Sequence, residues 1–120
     1  MLIALPLLVF ADYDVLDNIA SGIRAGDSRQ ISKYFDNNVE ITIADRESSY
    51  SRAQGEMVLR DFFQKNSVKD FSILHRGASD EGSLFCVGTL KTQYQNFRTY
   101  YLVRQKNGAS YIQELRFEKQ

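Results

Sequence analysis

The run Phe97-Arg98-Thr99-Tyr100-Tyr101-Leu102-Val103-Arg104-Gln105-Lys106-Asn107-Gly108-Ala109-Ser110-Tyr111-Ile112-Gln113-Glu114-Leu115-Arg116-Phe117-Glu118 decides the architecture. Two stretches rich in aromatic and β-branched residues flank Asn107-Gly108, and Asn-Gly supplies the positive φ that a tight hairpin turn requires. Phe97–Lys106 and Ser110–Glu118 are therefore expected as antiparallel neighbours. Two more strand-like runs precede them, Asp70–Ala78 and Ser83–Gln93, with turn residues at Asp80-Glu81-Gly82 and Gln95-Asn96. Connections this short force antiparallel pairing, so the second half of the chain reads as a four-stranded meander.

Upstream, the period changes. Val15, Leu16, Ile19 and Ile23 recur at three- and four-residue spacing, which predicts a helix over Asp12–Ala25 ended by Gly26. Asp27 or Ser28 can cap a second, shorter helix with Ile31, Tyr34 and Phe35 inward. Asp36-Asn37-Asn38 reads as a turn. Val39–Ile43 alternates strictly and is a strand, followed by a hairpin-like stretch through Asp45–Tyr50. Ser51-Arg52-Ala53-Gln54 has the form of a capping box and opens a helix to about Lys65, closed by Asn66, with Ala53, Met57, Leu59, Phe62 and Phe63 as its apolar set. Helices gathered on one face of an antiparallel sheet make an α+β domain. A twisted sheet curls around such helices, and a pocket is expected between the two.

Strand parity separates the two faces. The inward set is expected to hold Val39, Ile41 and Ile43; Phe71, Ile73 and His75; Leu84, Cys86, Gly88 and Leu90; Phe97, Thr99, Tyr101 and Val103; and Tyr111, Gln113, Leu115 and Phe117. Its polar members His75, Thr99, Tyr101 and Gln113, with Tyr34 from the helical half, are the candidate ligand-binding residues. His75 is the one candidate for a catalytic base, and a Cys86–His75 pair is geometrically conceivable. The outward set mixes Arg98, Arg104, Glu114, Arg116 and Glu118 with Leu74, Phe85, Val87, Tyr100, Leu102 and Ile112. An apolar centre with a charged rim looks like an interface, so a homodimer through the outer sheet face is expected.

Composition bounds the chemistry. Among 120 residues, 15 basic and 15 acidic side chains cancel, which argues against a nucleic-acid partner. One cysteine and one histidine cannot build a multi-cysteine or multi-histidine metal site, and neither a metal nor a cofactor is expected. Gly77–Ser83 has glycine spacing like a phosphate loop, but Ser83 stands where lysine is required. Asp36–Glu40 begins like a calcium loop, yet Ile41 occupies the glycine position. Ten of the eleven residues Met1–Ala11 are hydrophobic. The run is too short to span a bilayer and suits a signal peptide cut at Ala11/Asp12, leaving residues 12–120 as a single exported domain, periplasmic or secreted, with no stable membrane insertion.

The element order and several segments carry a family resemblance. They are Val15–Ala20, Ser32–Phe35, Val39–Ile43, Tyr50–Gln54, Leu59–Phe63, Gly88–Leu90 and Ile112–Arg116. In order and spacing these resemble an exported bacterial family of domains of unknown function (DUF4783-like) in the nuclear transport factor 2-like superfamily. The resemblance implies a cone-shaped α+β fold, often paired through its outer sheet, with a pocket between sheet and helices. It implies no reaction, because the superfamily contains isomerases, dehydratases and cyclases beside non-enzymatic modules. The expectation is a non-catalytic domain that binds a small apolar ligand or a protein partner. The alternative is an isomerase- or dehydratase-like enzyme with His75 as base and Tyr101 or Tyr34 polarising a carbonyl.

Overall fold

The computed structural model describes residues 13–79 and 81–120. The expected signal segment Met1–Ala11 lies outside them. Helix α1 (Asp14–Ala25) buries Val15, Leu16, Ile19, Ala20 and Ile23 along one stripe. It stops at Gly26, whose φ of 63° lets the amide of Asp27 return to the Gly22 carbonyl at 2.9 Å. The Asp27 carboxylate accepts from the Gln30 amide and starts α2 (Ser28–Ser32). This helix is shorter than the sequence predicts. Tyr34 falls between elements, and Phe35 already belongs to β1 (Phe35–Ile43).

Asp36-Asn37-Asn38 is therefore strand and not turn. The Ile112 amide donates to the Tyr34 carbonyl at 2.6 Å and Phe35 is in register with Ile112, so pairing begins before the polar triplet. Strand β2 (Arg46–Ser51) folds back on β1. At its end Ser51 and Gln54 form the capping box that starts α3 (Arg52–Lys65), and Leu59, Phe62 and Phe63 of this helix are buried. Ala53 and Met57, assigned to its apolar set from sequence, are exposed, Met57 by 65%.

The last four strands are β3 (Val68–Ala78), β4 (Leu84–Thr92), β5 (Asn96–Lys106) and β6 (Ala109–Lys119). They form the expected antiparallel meander, but the final strand does not lie at an edge. The sheet order is β2-β1-β6-β5-β4-β3, with β6 parallel to β1. All three helices pack on one face of this six-stranded sheet, as the α+β reading requires.

Two bulges decide which side chains face the helices. Ile73 is opposite Gly88 while His75 is opposite Val87, so Leu74 is an extra residue on β3. Leu102 is opposite Glu114 while Val103 is opposite Ile112, so Gln113 is an extra residue on β6. An extra residue inverts every alternation beyond it. His75 therefore lies on the outer face, exposed, with its ring 5.4 Å from that of Phe85. Ile112 turns inward and is fully buried, whereas Tyr111, opposite Arg104, turns outward. These reverse the sequence assignments of His75, Tyr111 and Ile112.

Candidate functional site

The space between helices and sheet is occupied by side chains. The Phe62 ring stacks on Phe117 with centroids 4.7 Å apart and meets Phe97 edge-on at 5.1 Å. The fully buried Tyr101 donates its hydroxyl to the Leu16 carbonyl at 2.7 Å, which ties β5 to α1. Burial pushes the Tyr101 phenol far up, so it remains a protonated donor. Cys86, its cross-strand neighbour, is buried too, and desolvation raises its thiol. A raised thiol is a poor nucleophile. Cys86 faces the helices and His75 faces away, so the conceivable Cys–His pair does not form.

The five candidate ligand residues do not converge. Thr99 and Tyr101 share the inner face of β5, both fully buried. The Thr99 hydroxyl has no hydrogen-bond partner among the described residues. Tyr34 is half-buried against the core beside α2. His75 stands on the outer face, and Gln113, the bulge residue, lines an outer depression with Asp36, Glu40, Ser49 and Glu114. Beside that depression the carboxylates of Glu40, Glu47 and Glu114 lie within 4.8 Å of one another. This is the arrangement among the described residues that comes nearest to a metal ligand set. Arg116 pairs with Glu114 and feels the charge of Glu47, so the trio reads as a surface ion network.

A second site lies where α3 crosses the β1–β2 hairpin. A cleft of about 470 Å³ is floored by Ile41, Ile43, Val58 and Phe62. Arg46, Tyr50 and Lys65 stand at its rim with Asp61, whose carboxylate is 3.0 Å from the Lys65 amine. Local structure explains the placement. Arg46 and Tyr50 are opposite Ile43 and Val39, so both take the helix side of β2, while Glu47, opposite Thr42, takes the outer side. On α3, Met57, Val58, Asp61, Phe62 and Lys65 follow at helical spacing and give the cleft its other wall. A cleft of this size, with an apolar floor and a few polar groups at the lip, can hold a small molecule. Asp61 and Lys65 are solvated and paired with each other, so the cleft presents an apolar seat with charged groups at its lip. Sequence reading missed this site. The available signal was Met57 and Val58, apolar residues beyond what the core stripe of α3 needs.

The sequence profile of DUF4783, a domain of unknown function, matches residues 16–118. The chain belongs to this family. A DUF4783 protein from Bacteroides uniformis superposes with a TM-score of 0.84 at 26% identity, covering 88% of this chain and 97% of the other. One from Bacteroides fragilis gives 0.81 at 30% identity, covering 86% and 96%. An NTF2-like protein of unknown function from Shewanella baltica gives 0.66 at 12% identity, covering 89% of each chain, a likeness of fold alone. No curated protein matches the chain. This DUF4783 domain thus has the NTF2-like fold that its element order implied.

Proposed function

We propose that this DUF4783 domain is a non-catalytic binding domain of an exported protein, and that the cleft between α3 and the β1–β2 hairpin seats a small apolar ligand. The observation that carries the reading is the open apolar floor of Ile41, Ile43, Val58 and Phe62. Beside it the cone interior is filled by Tyr101, Phe71, Phe97 and Phe117. The enzyme alternative needs His75 on the inner face with Tyr101 or Tyr34, and His75 lies on the outer face, away from the helices. The test is titration of the purified domain with an apolar fluorophore. Val58→Asp places a charge on the cleft floor and should abolish binding while the far-UV spectrum is unchanged. Undiminished binding by that variant would remove the cleft as the seat.

The outer sheet face favours a second reading, concerning assembly. Phe85, Val87, Tyr100 and Leu102 form a half-buried stripe over which no described helix packs. Arg98 and Arg104, on the same strand as Tyr100 and Leu102, stand at the two ends of the stripe, and Glu114, Glu40 and Glu47 follow across β6, β1 and β2 on one flank. A two-fold axis through the stripe would bury the apolar side chains of each copy against those of the other, the self-contact that a symmetric dimer needs. Light scattering should give twice the monomer mass, falling to one on Tyr100→Glu. A monomeric wild-type protein at high micromolar concentration would rule this assembly out.

A further inference from the structure

We propose that the ligand of the α3/β1–β2 cleft is a single-tailed amphiphile with a carboxylate head, its tail on the Ile41–Phe62 floor and its head on Arg46. The inference rests on the cleft being the ligand seat and adds the chemistry of the head group.

The rim charges are asymmetric. Arg46 is the charged residue that β2 turns toward the helices, whereas Glu47 faces away. Across the opening Lys65 is held by Asp61 at 3.0 Å. The Arg46 guanidinium makes no ion pair or hydrogen bond to any described residue. The Tyr50 hydroxyl, on the same side of the same strand, likewise donates to no described residue. Two donors thus stand unused over an apolar floor. A neutral ligand seated there would leave the exposed guanidinium with water alone and gain nothing from it. A carboxylate replaces that water with paired, charge-assisted hydrogen bonds, and the planar fork of arginine matches its two oxygens. A cationic head would meet Arg46 with like charge.

The experiment is isothermal titration calorimetry of the whole domain at low salt with three probes sharing one tail: decanoate, 1-decanol and decyltrimethylammonium. Decanoate should bind at least about fivefold more tightly than decanol, the size of one charge-assisted contact at a partly solvated rim. Arg46→Gln should erase that preference and leave decanol binding unchanged, while Arg46→Lys should keep part of it. Unchanged melting of both variants would exclude a folding defect. Equal affinity of decanoate and decanol would overturn the carboxylate assignment yet leave the apolar cleft standing. Loss of decanol binding in Arg46→Gln would also overturn it, because the arginine would then be acting through packing. Binding of no probe would overturn both the head-group assignment and the cleft as ligand seat.

Discussion

Gly88→Ala is the sharpest test of why the cone interior is filled. Gly88 lies on the inner face of β4 between Ile73 and Thr99. A Cβ built there would stand 2.6 Å from Phe71 Cζ and 2.7 Å from the Ser72 carbonyl oxygen. The ring could turn, but the carbonyl belongs to the β3 backbone beside the Leu74 bulge and cannot retreat without disturbing the ladder. Inserting a methyl into a packed core costs about 1–3 kcal/mol, and a fixed backbone neighbour places this site near the upper end. Alanine returns about 0.5–1 kcal/mol by restricting the unfolded chain. The expected net loss is about 2 kcal/mol. With an unfolding entropy of about 2.1 cal/mol/K per residue, that lowers Tm by about 9 °C for a domain of this length. Urea denaturation followed by circular dichroism should show an earlier midpoint at unchanged slope, and calorimetry should give the Tm. Phe71→Leu in the same background should recover only part of the loss, since the Ser72 contact persists. Wild-type stability in Gly88→Ala would refute the claim that Phe71 fills the interior by resting on a residue without a side chain.

Other outcomes follow from buried polar groups. Thr99→Val should raise stability by about 1 kcal/mol in the same urea assay, because it removes a fully buried hydroxyl without a partner; a loss would mean that the hydroxyl is satisfied in solution. Tyr101→Phe should cost about 1 kcal/mol through the lost bond to the Leu16 carbonyl, and a neutral result would remove that bond as a tie between sheet and helix. Cys86 should resist thiol reagents until the domain unfolds, so labelling in native buffer at the rate of a free thiol would contradict its burial. The Lys106 amine, 2.6 Å from Asp36, holds that carboxyl below its ordinary pKa. A carboxyl with a lowered folded pKa contributes stability that is complete above about pH 4 and is lost as the pH falls through the folded value. The advantage of wild type over Asp36→Asn should therefore hold from neutrality down to about pH 4 and shrink below it, and a constant difference through that range would deny the coupling.

Local chemistry was legible in the sequence, and long-range register was not. Gly26, the Ser51–Gln54 box and Asn107-Gly108 act within four residues of themselves, so their signals stand in the chain. The bulges do not: Leu74 and Gln113 are ordinary strand residues, made surplus by where the neighbouring strand happens to pair. Each moved the polar residues near it away from the expected site, which is why His75 and Gln113 were misplaced while Thr99 and Tyr101 were placed correctly on the inner face. Thr99 and Tyr101 were read as pocket walls, but parity reports direction and says nothing of whether space remains in front of a side chain. Asp36–Asn38 looked like a turn because its polar residues suit one, and pairing with the last strand overrode that preference. The cleft escaped because it joins β2 to α3 through side chains that are individually unremarkable on the surface.

The position of β6 has a consequence for how the protein is made. The last strand sits in the middle of the sheet, between the hairpin of the N-terminal half and the meander of the C-terminal half. Until residues near Phe117 have left the ribosome, β1 and β2 have no third strand to join, and a lone two-stranded hairpin is marginal in water. The N-terminal half therefore waits, its apolar face open to chaperones, and closes only by contacts spanning most of the chain. Such closure is slow because its entropy is lost before the contacts form. Closure of the sheet therefore waits on β6, and deleting that strand should abolish the domain as a whole instead of trimming one edge.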